Sequence, residues 1–383
     1  MLRFAADMSS TLGIDLGTDD FIVAAALADG VRVLVAEAAT FTKQGKARAQ
    51  ARALWEADPD RDALLQAWCV PMLKEAKARS ESLLGEVITD AVLAVPAYLY
   101  WRSNALSSIR AAAATAGLRF AWLVAVPIAA TVAVLDQIRG DATAANVLVY
   151  KLAERDFDAT VLRISEDAFA EVLVEVDDAA QARGAGLWLW RRTASESLMP
   201  NAVGDDVVLC LDGDKDLGAR TFEDAVVAHL LARIEERRCD RLDDARRERY
   251  ISELHGALGR ATETLMAARE AGTPCSELSV STTLAWAETL TCGELWKITR
   301  GLVEHSLSVV DRCLKRAQLT RDRVEHVVTV GRYAQVPWIA LALQDHLCAR
   351  FVQEVTPKDR AALGAAVIGL WKKISRQSPG APA

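Results

Sequence analysis

Leu12-Gly13-Ile14-Asp15-Leu16-Gly17-Thr18 is followed at once by Phe21-Ile22-Val23-Ala24-Ala25-Ala26-Leu27. Apolar residues run into an acid, a Gly-Thr pair turns the chain, and a second apolar stretch returns. The pattern predicts a strand, a tight glycine turn and an antiparallel strand. Gly17 lets backbone amides approach a bulky anion, and the Thr18 hydroxyl can bind phosphate oxygens beside them. Asp15, at the strand end, is placed to hold a magnesium ion through water, because magnesium keeps much of its hydration shell. A ligand-free hairpin accounts for the same residues, so the rest of the chain has to decide between the two.

The bulk composition narrows the class. A chain of 383 residues can bury a large core and is expected to divide into lobes. A net charge of −7 argues against non-specific binding to nucleic acid or an anionic membrane. The seven cysteines, Cys69, Cys210, Cys239, Cys275, Cys292, Cys313 and Cys348, show no CxxC and no paired spacing. Neither a disulfide framework nor a zinc site is indicated, which fits a reducing compartment. Met1–Ser10 carries Arg3 and Asp7 and lacks the apolar core of a secretory signal. No uninterrupted apolar stretch reaches the ~18 residues of a membrane span. A cytoplasmic location is expected.

Outward from the opening hairpin, the same plan occurs twice. In the first half a third strand is expected over Val31–Ala36, helices over 44–84 broken near Asp58-Pro59, and a buried strand over Ala91–Val95 ended by Pro96. A helix over Ser103–Ala116 stops at Gly117, a strand runs over Leu118–Ala125, and Pro127 opens a helix at its first turn. In the second half Asn146–Lys151 and Phe157–Ile164 form a second hairpin, with a third strand expected over Phe169–Val176. A long charged helical region follows over roughly 221–271, then a strand over 324–330 ending at Gly331. A helix over Pro337–Leu347, a short strand at Phe351-Val352 and a terminal helix over Asp359–Lys373 complete the series. Ser375–Ala383, with two prolines and a glycine, is expected to be disordered.

This duplicated plan resembles the actin, sugar-kinase and 70-kDa heat-shock chaperone superfamily, and the intervening motifs point to the DnaK-like chaperones. Ala94-Val95-Pro96-Ala97-Tyr98 is similar to their VPAYF segment, and Ala116-Gly117-Leu118 to the AGL after it. Pro127-Ile128-Ala129-Ala130 stands where they have EPTAAA. Gly213-Asp214-Lys215-Asp216-Leu217-Gly218-Ala219 with Phe222-Glu223 is similar to GDxxLGGxxFD. Val330-Gly331 followed by Pro337 resembles VGGxTRxP, and Leu363–Val367 with Gly369 the closing xGAAxxG helix.

The resemblance implies a duplicated, actin-like (ribonuclease H-like) α/β fold with two lobes and a central nucleotide cleft. The first lobe would comprise 9–144 plus 359–374, and the second 145–358. The matches correspond to the chaperones' nucleotide-binding domain, and no peptide-binding domain is expected. They imply ATP or ADP with magnesium as ligand, held by Asp15, Gly17, Thr18, Arg155, Gly213, Asp214, Gly331 and Arg332, with Asp158 at the position of the water-activating acid.

Against that pattern the second phosphate loop, DLGGGTFD in the family, reads Lys151-Leu152-Ala153-Glu154-Arg155-Asp156-Phe157-Asp158. Lys151 replaces the first acid, Ala153, Glu154 and Arg155 the glycines, and Asp156 the threonine. Each former glycine gains a Cβ, and Glu154 and Asp156 add carboxylates where polyphosphate would lie. Like charges at ~4 Å repel by about 4 kcal/mol at an effective dielectric of about 20, and Arg155 offsets part of this. Val126 stands for the glutamate before PTAAA, and Arg332 for the second glycine of the adenosine loop. Gly259, Thr262 and Met266 stand for the polar residues of the adenosine clamp, and Asp19 for a second threonine beside Thr18. The catalytic lysine has Lys74 as its nearest counterpart, in a stretch shortened between 38 and 75. Drift within a working site would explain each change singly. Together they predict a cleft that does not hydrolyse ATP, with Lys151 and Arg155 paired to Asp15, Asp156 or Asp158.

The expected role is a non-catalytic scaffold or regulator working through contact with another protein: a chaperone, a co-chaperone or an assembly client. No cofactor is required, and weak Mg-ATP or Mg-ADP binding is the most expected. The alternatives are an ATP-binding chaperone or co-chaperone that still switches its lobes, or a small-molecule kinase or actin-like filament protein. Trp188 and Trp190, before Arg191-Arg192, read either as hairpin packing or as a partner-binding patch. Trp101 reads as part of a repacked interface. The mixed charges of Arg233–Arg249 read as a solvated helix rather than a nucleic-acid patch.

Overall fold

A computed structural model describes residues 10–16, 21–27, 30–37, 62–97, 99, 105–138, 144–165, 208–238, 241–270, 277–284, 286–352 and 359–377. The opening apolar runs form β1 (Thr11–Asp15), β2 (Phe21–Leu27) and β3 (Gly30–Glu37). After α1 (Asp62–Leu84) come β4 (Asp90–Val95), α2 (Ala105–Thr115) and β5 (Phe120–Ala125). The sheet order is β3-β2-β1-β4-β5, with β1 antiparallel to β2 and parallel to β4. Two short helices, α3 (Val126–Val132) and α4 (Leu135–Ile138), lead to the second lobe.

The second sheet repeats the first. Its strands are β6 (Ala144–Leu152), β7 (Phe157–Ser165) and β8 (Val208–Asp214), joined later by β11 (His326–Val330) and β12 (Arg350–Phe351). Its order, β8-β7-β6-β11-β12, matches the first strand for strand, with the same parallel and antiparallel senses. The third described strand of this lobe is 208–214, and the strand expected over 169–176 lies outside the described residues. The expected 221–271 helix is two helices, α5 (Ala219–Arg238) and α6 (Asp244–Glu270). A hairpin of β9 (Glu277–Ser281) and β10 (Ala287–Thr291) and the long α7 (Cys292–Arg316) were not foreseen. Thr291 and Glu294 form a reciprocal capping box that starts α7: Glu294 N donates to Thr291 Oγ1 at 3.2 Å, and Thr291 N to Glu294 Oε2 at 2.9 Å. Then come α8 (Pro337–His346) and α9 (Arg360–Gln377). Ser375–Gln377, expected to be disordered, belong to α9.

Small residues set the spacing between layers. A Cβ on Gly13 of β1 would lie 2.0 Å from Ala362 O, so α9 sits directly on the strand backbone. A Cβ on Gly364 would lie 1.7 Å from Ala129 O, where α9 crosses α3. One core runs through this layer, joining Val92 and Val124 of the first sheet to Val147 and Val328 of the second through Ala129 and Ala365. On the outer face of the first sheet, Trp68 and Leu73 of α1 and Ile109 of α2 cover Leu12 and Leu93. On the outer face of the second, Phe222, Leu230 and Val310 cover Tyr150 and Phe157. The charged run 233–249 pairs across elements as well as locally: Arg233 and Arg237 both reach Glu288 of β10, at 2.9 and 2.6 Å, while Arg246 lies 3.4 Å from Asp243.

Candidate functional site

The site is built on the turn that joins β6 to β7. Along β6, Tyr150 and Leu152 point to the outer core with Phe157. Side chains alternate along a strand, so Lys151 points to the opposite, inter-lobe face, beside its cross-strand partner Asp158. Lys151 is fully buried. Its Nζ donates to Asp156 Oδ2 at 2.6 Å and to Asp158 Oδ2 at 2.8 Å. Burial alone would lower the ammonium's pKa, but the charges and hydrogen bonds of the two carboxylates outweigh it and hold Lys151 protonated beyond the ordinary lysine range. Burial is also the larger effect on Asp158 and pushes its carboxyl up, reinforced by Asp156 and opposed by Lys151. Asp158 Oδ1 and Thr160 Oγ1, on the same strand face, are buried and find no hydrogen-bond partner among the described residues.

The turn is fastened to the start of α5 chiefly through backbone, with Arg220 Nη1 also 3.9 Å from Glu154 Oε1. Ala153 N donates to Asp156 O at 3.0 Å and closes the turn. Ala219 N then donates to Ala153 O at 2.8 Å, and Arg220 N to Glu154 O at 3.0 Å. Helix N-termini leave N–H groups that often hold anions, and here the turn's carbonyls occupy two of them. A Cβ on Gly218 would lie 2.3 Å from the Arg155 carbonyl carbon, so the Gly218 position has to remain glycine for this contact. Arg155 is exposed at the tip of the turn.

Gly213 pairs with Asp158 across β7 and β8, and a Cβ there would meet Phe157 O at 2.7 Å. Asp214 accepts from Asp216 N at 2.8 Å, and its Oδ2 lies 2.8 Å from His305 Nε2. Those two contacts, the backbone one first, hold its carboxyl below the usual range. Gly331, after β11, has φ +89°, and a Cβ would lie 2.1 Å from Leu152 O. Its left-handed conformation lets the chain turn against the end of β6. Arg332 opens the 3-10 turn Arg332–Gln335, and its side chain lies outside the described residues.

Tyr333, in that turn, was not singled out from sequence. It is buried, and its hydroxyl donates to Glu223 Oε1 of α5 at 2.8 Å and lies 3.5 Å from Thr262 Oγ1 of α6. Burial, then the Glu223 charge, push the phenol well above its ordinary value. His255 of α6 extends the cluster: its Nε2 lies 3.1 Å from Asp224 Oδ1, and its Nδ1 3.9 Å from Glu223 Oε2. Only the Gly-Arg-Tyr sequence after a strand end could have flagged Tyr333.

The family model described as Hsp70 protein matches residues 66–180 and 193–373. The chain belongs to the Hsp70 family. The matched residues take in β4 and β5 of the first sheet, the whole second sheet and the β6–β7 turn, while β1–β3 precede them. In this Hsp70-family chain Asp15 ends β1, buried, in register with Ala94 of β4. Lys151 is paired as anticipated, with Asp156 and Asp158. Val126 is buried at the start of α3, in the core between the sheets. Lys74 is exposed on α1, while Met72 and Leu73 beside it are buried. Gly17, Thr18, Asp19, Trp101, Trp188 and Trp190 lie outside the described residues. No helix among the described residues is long and apolar enough to cross a membrane.

Proposed function

We propose that this Hsp70-family chain is a non-catalytic scaffold or regulator that acts by contact with another protein, its ATP site eroded. The observation that carries the reading is the buried Lys151 ammonium held between Asp156 and Asp158. In phosphoryl transfer the protein contributes positioning and electrostatics, with acids arranged around magnesium and the attacking water. Here one oxygen of Asp158 is committed to an ammonium, and the ammonium stands where the family has another acid. The residues present therefore do not fit a magnesium nucleotide. The turn's carbonyls, tied to α5, and the Tyr333 hydroxyl, tied to Glu223, support the same reading. With a net charge of −7, the partner is a protein rather than nucleic acid or an anionic membrane. The free thiols of the described residues fit a reducing compartment, the cytoplasm.

Isothermal titration with Mg-ATP and Mg-ADP, paired with a phosphate-release assay, tests this directly. Neither sub-micromolar binding nor turnover is expected. Sub-micromolar binding with turnover overturns the proposal in favour of a nucleotide-switched chaperone.

A further inference from the structure

Two thiols far apart in sequence meet on the outer side of the second sheet. Cys210 lies on the edge strand β8, in register with Val161 of β7. Cys313 lies in the last turn of α7, fully buried, and its Sγ donates to Ala159 O at 3.2 Å. Ala159 and Val161 lie on one face of β7, so the Cys313 sulfur sits beside Cys210 on that face, and neither thiol is in a disulfide. Ion pairs hold the strand and helix together beside them. Asp212, two residues beyond Cys210, is gripped by Arg312 at 2.6 and 3.1 Å and by Arg316 at 3.0 Å, both from α7.

The two sulfurs differ in a way that suits sequential chemistry. Cys210 is half-buried, so a small reagent can reach it. The neighbouring Cys313 thiol, helped by Arg316, holds the Cys210 thiol below the usual value against burial and Asp212. The Cys210 thiol beside it, then burial, hold Cys313 well above the usual value. By contrast, burial raises Cys69 in the first-lobe core to about 12, a thiol that keeps its proton.

We propose that Cys210 and Cys313 are an oxidation-sensitive dithiol, in which a hydroperoxide oxidises Cys210 and Cys313 then closes a disulfide tying β8 to α7. The Cys210 thiolate attacks one peroxide oxygen and the O–O bond breaks. The leaving oxygen takes a proton and departs as water or an alcohol. Sulfur has given up two electrons, and Cys210 carries a sulfenic acid. The Cys313 sulfur then displaces the sulfenic hydroxyl, which leaves as water with the Cys313 proton. Two thiols and one hydroperoxide give one disulfide, one water and one water or alcohol. An S–S bond of about 2.05 Å needs the sulfurs of the facing strand and helix to close on each other. The pairing of β7 with β8 shifts register between Val161 and Leu162, beside Cys210, and among the described residues β8 has no strand on its other side to resist the movement.

The test treats the full chain with hydrogen peroxide, blocks free thiols, digests without reductant and maps linked peptides by mass spectrometry. A Cys210–Cys313 peptide, lighter by two hydrogen atoms and split by dithiothreitol, is expected before any other pairing. Alkylation of Cys210 in the oxidised protein falls about tenfold. In Cys313→Ala, Cys210 is trapped as a dimedone adduct; in Cys210→Ser, Cys313 stays reduced at the same dose. Should the buried Cys313 variant fail to fold, the wild-type peptide map and Cys210→Ser decide the matter alone. Cys210 left alkylatable while other cysteines oxidise, or Cys210 carried to sulfinic acid with Cys313 free, overturns the proposal.

Discussion

The β1–β2 and β6–β7 hairpins hold equivalent places in the two sheets, yet β1 ends in Asp15 where β6 carries Lys151. Both residues are buried, and each lies in register with a parallel strand, Ala94 of β4 in one lobe and Val330 of β11 in the other. The fold thus accepts either sign of charge at this point. What differs is the company: the second hairpin supplies two carboxylates, Asp156 and Asp158, to a charge its backbone has buried. The same replacement that removes an acid from the cleft builds a structural ion cluster there.

Breaking that cluster is expected to have the largest effect. Lys151→Met leaves buried carboxylate charge uncompensated and should cost about 3–5 kcal/mol in urea unfolding. Lys151→Met combined with Asp158→Leu should lose less than Lys151→Met alone, because removing both charges is cheaper than orphaning one. Equal losses would make the pairing energetically idle.

Next come the glycines that bring each hairpin against its support. Gly331→Ala places a Cβ 2.1 Å from Leu152 O at φ +89°, and should cost about 3 kcal/mol. On the first hairpin, Gly13→Ala drives a Cβ into Ala362 O of α9 and should cost about 1–3 kcal/mol. Thermal melts of the two variants show which hairpin is packed the more tightly.

The pH dependence is smaller and carries a definite sign. Lys151 is raised above the ordinary lysine value of 10.5, so its contribution is complete below that pH and is lost as pH climbs through the folded-state value. Urea midpoints should therefore fall above about pH 10.5 more steeply in wild type than in Lys151→Met, which lacks the group. Removing the capping box of α7 by Thr291→Ala, away from both hairpins, should cost about 1 kcal/mol. That variant should leave the alkaline slope unchanged.

Much of the duplicated architecture was legible because apolar runs ended by Gly, Pro or an acid mark the central strands, and those strands are buried on both faces. Val208–Asp214 escaped notice because an edge strand carries a weak pattern, and its residues are only partly buried. The β9–β10 hairpin is half polar, with burial alternating along Glu277–Ser281, and its short strands resemble loop sequence. At the site, Lys151 and its acidic neighbours could be read as a pair because they lie within eight residues of one another. Tyr333 with Glu223 and Thr262 could not, since three elements distant in sequence have to converge before the phenol has a partner.

Sequence by itself determined the order of the two lobes, the family and the loss of glycines from the second hairpin, since each depends on residues close together in the chain. Tertiary structure alone decided that both Asp156 and Asp158 hold Lys151, that the turn's carbonyls cap α5, and that Cys210 meets Cys313. Charges, carbonyls and thiols interact over a few ångströms, and only packing of the second sheet against α5, α6 and α7 brings them within that range.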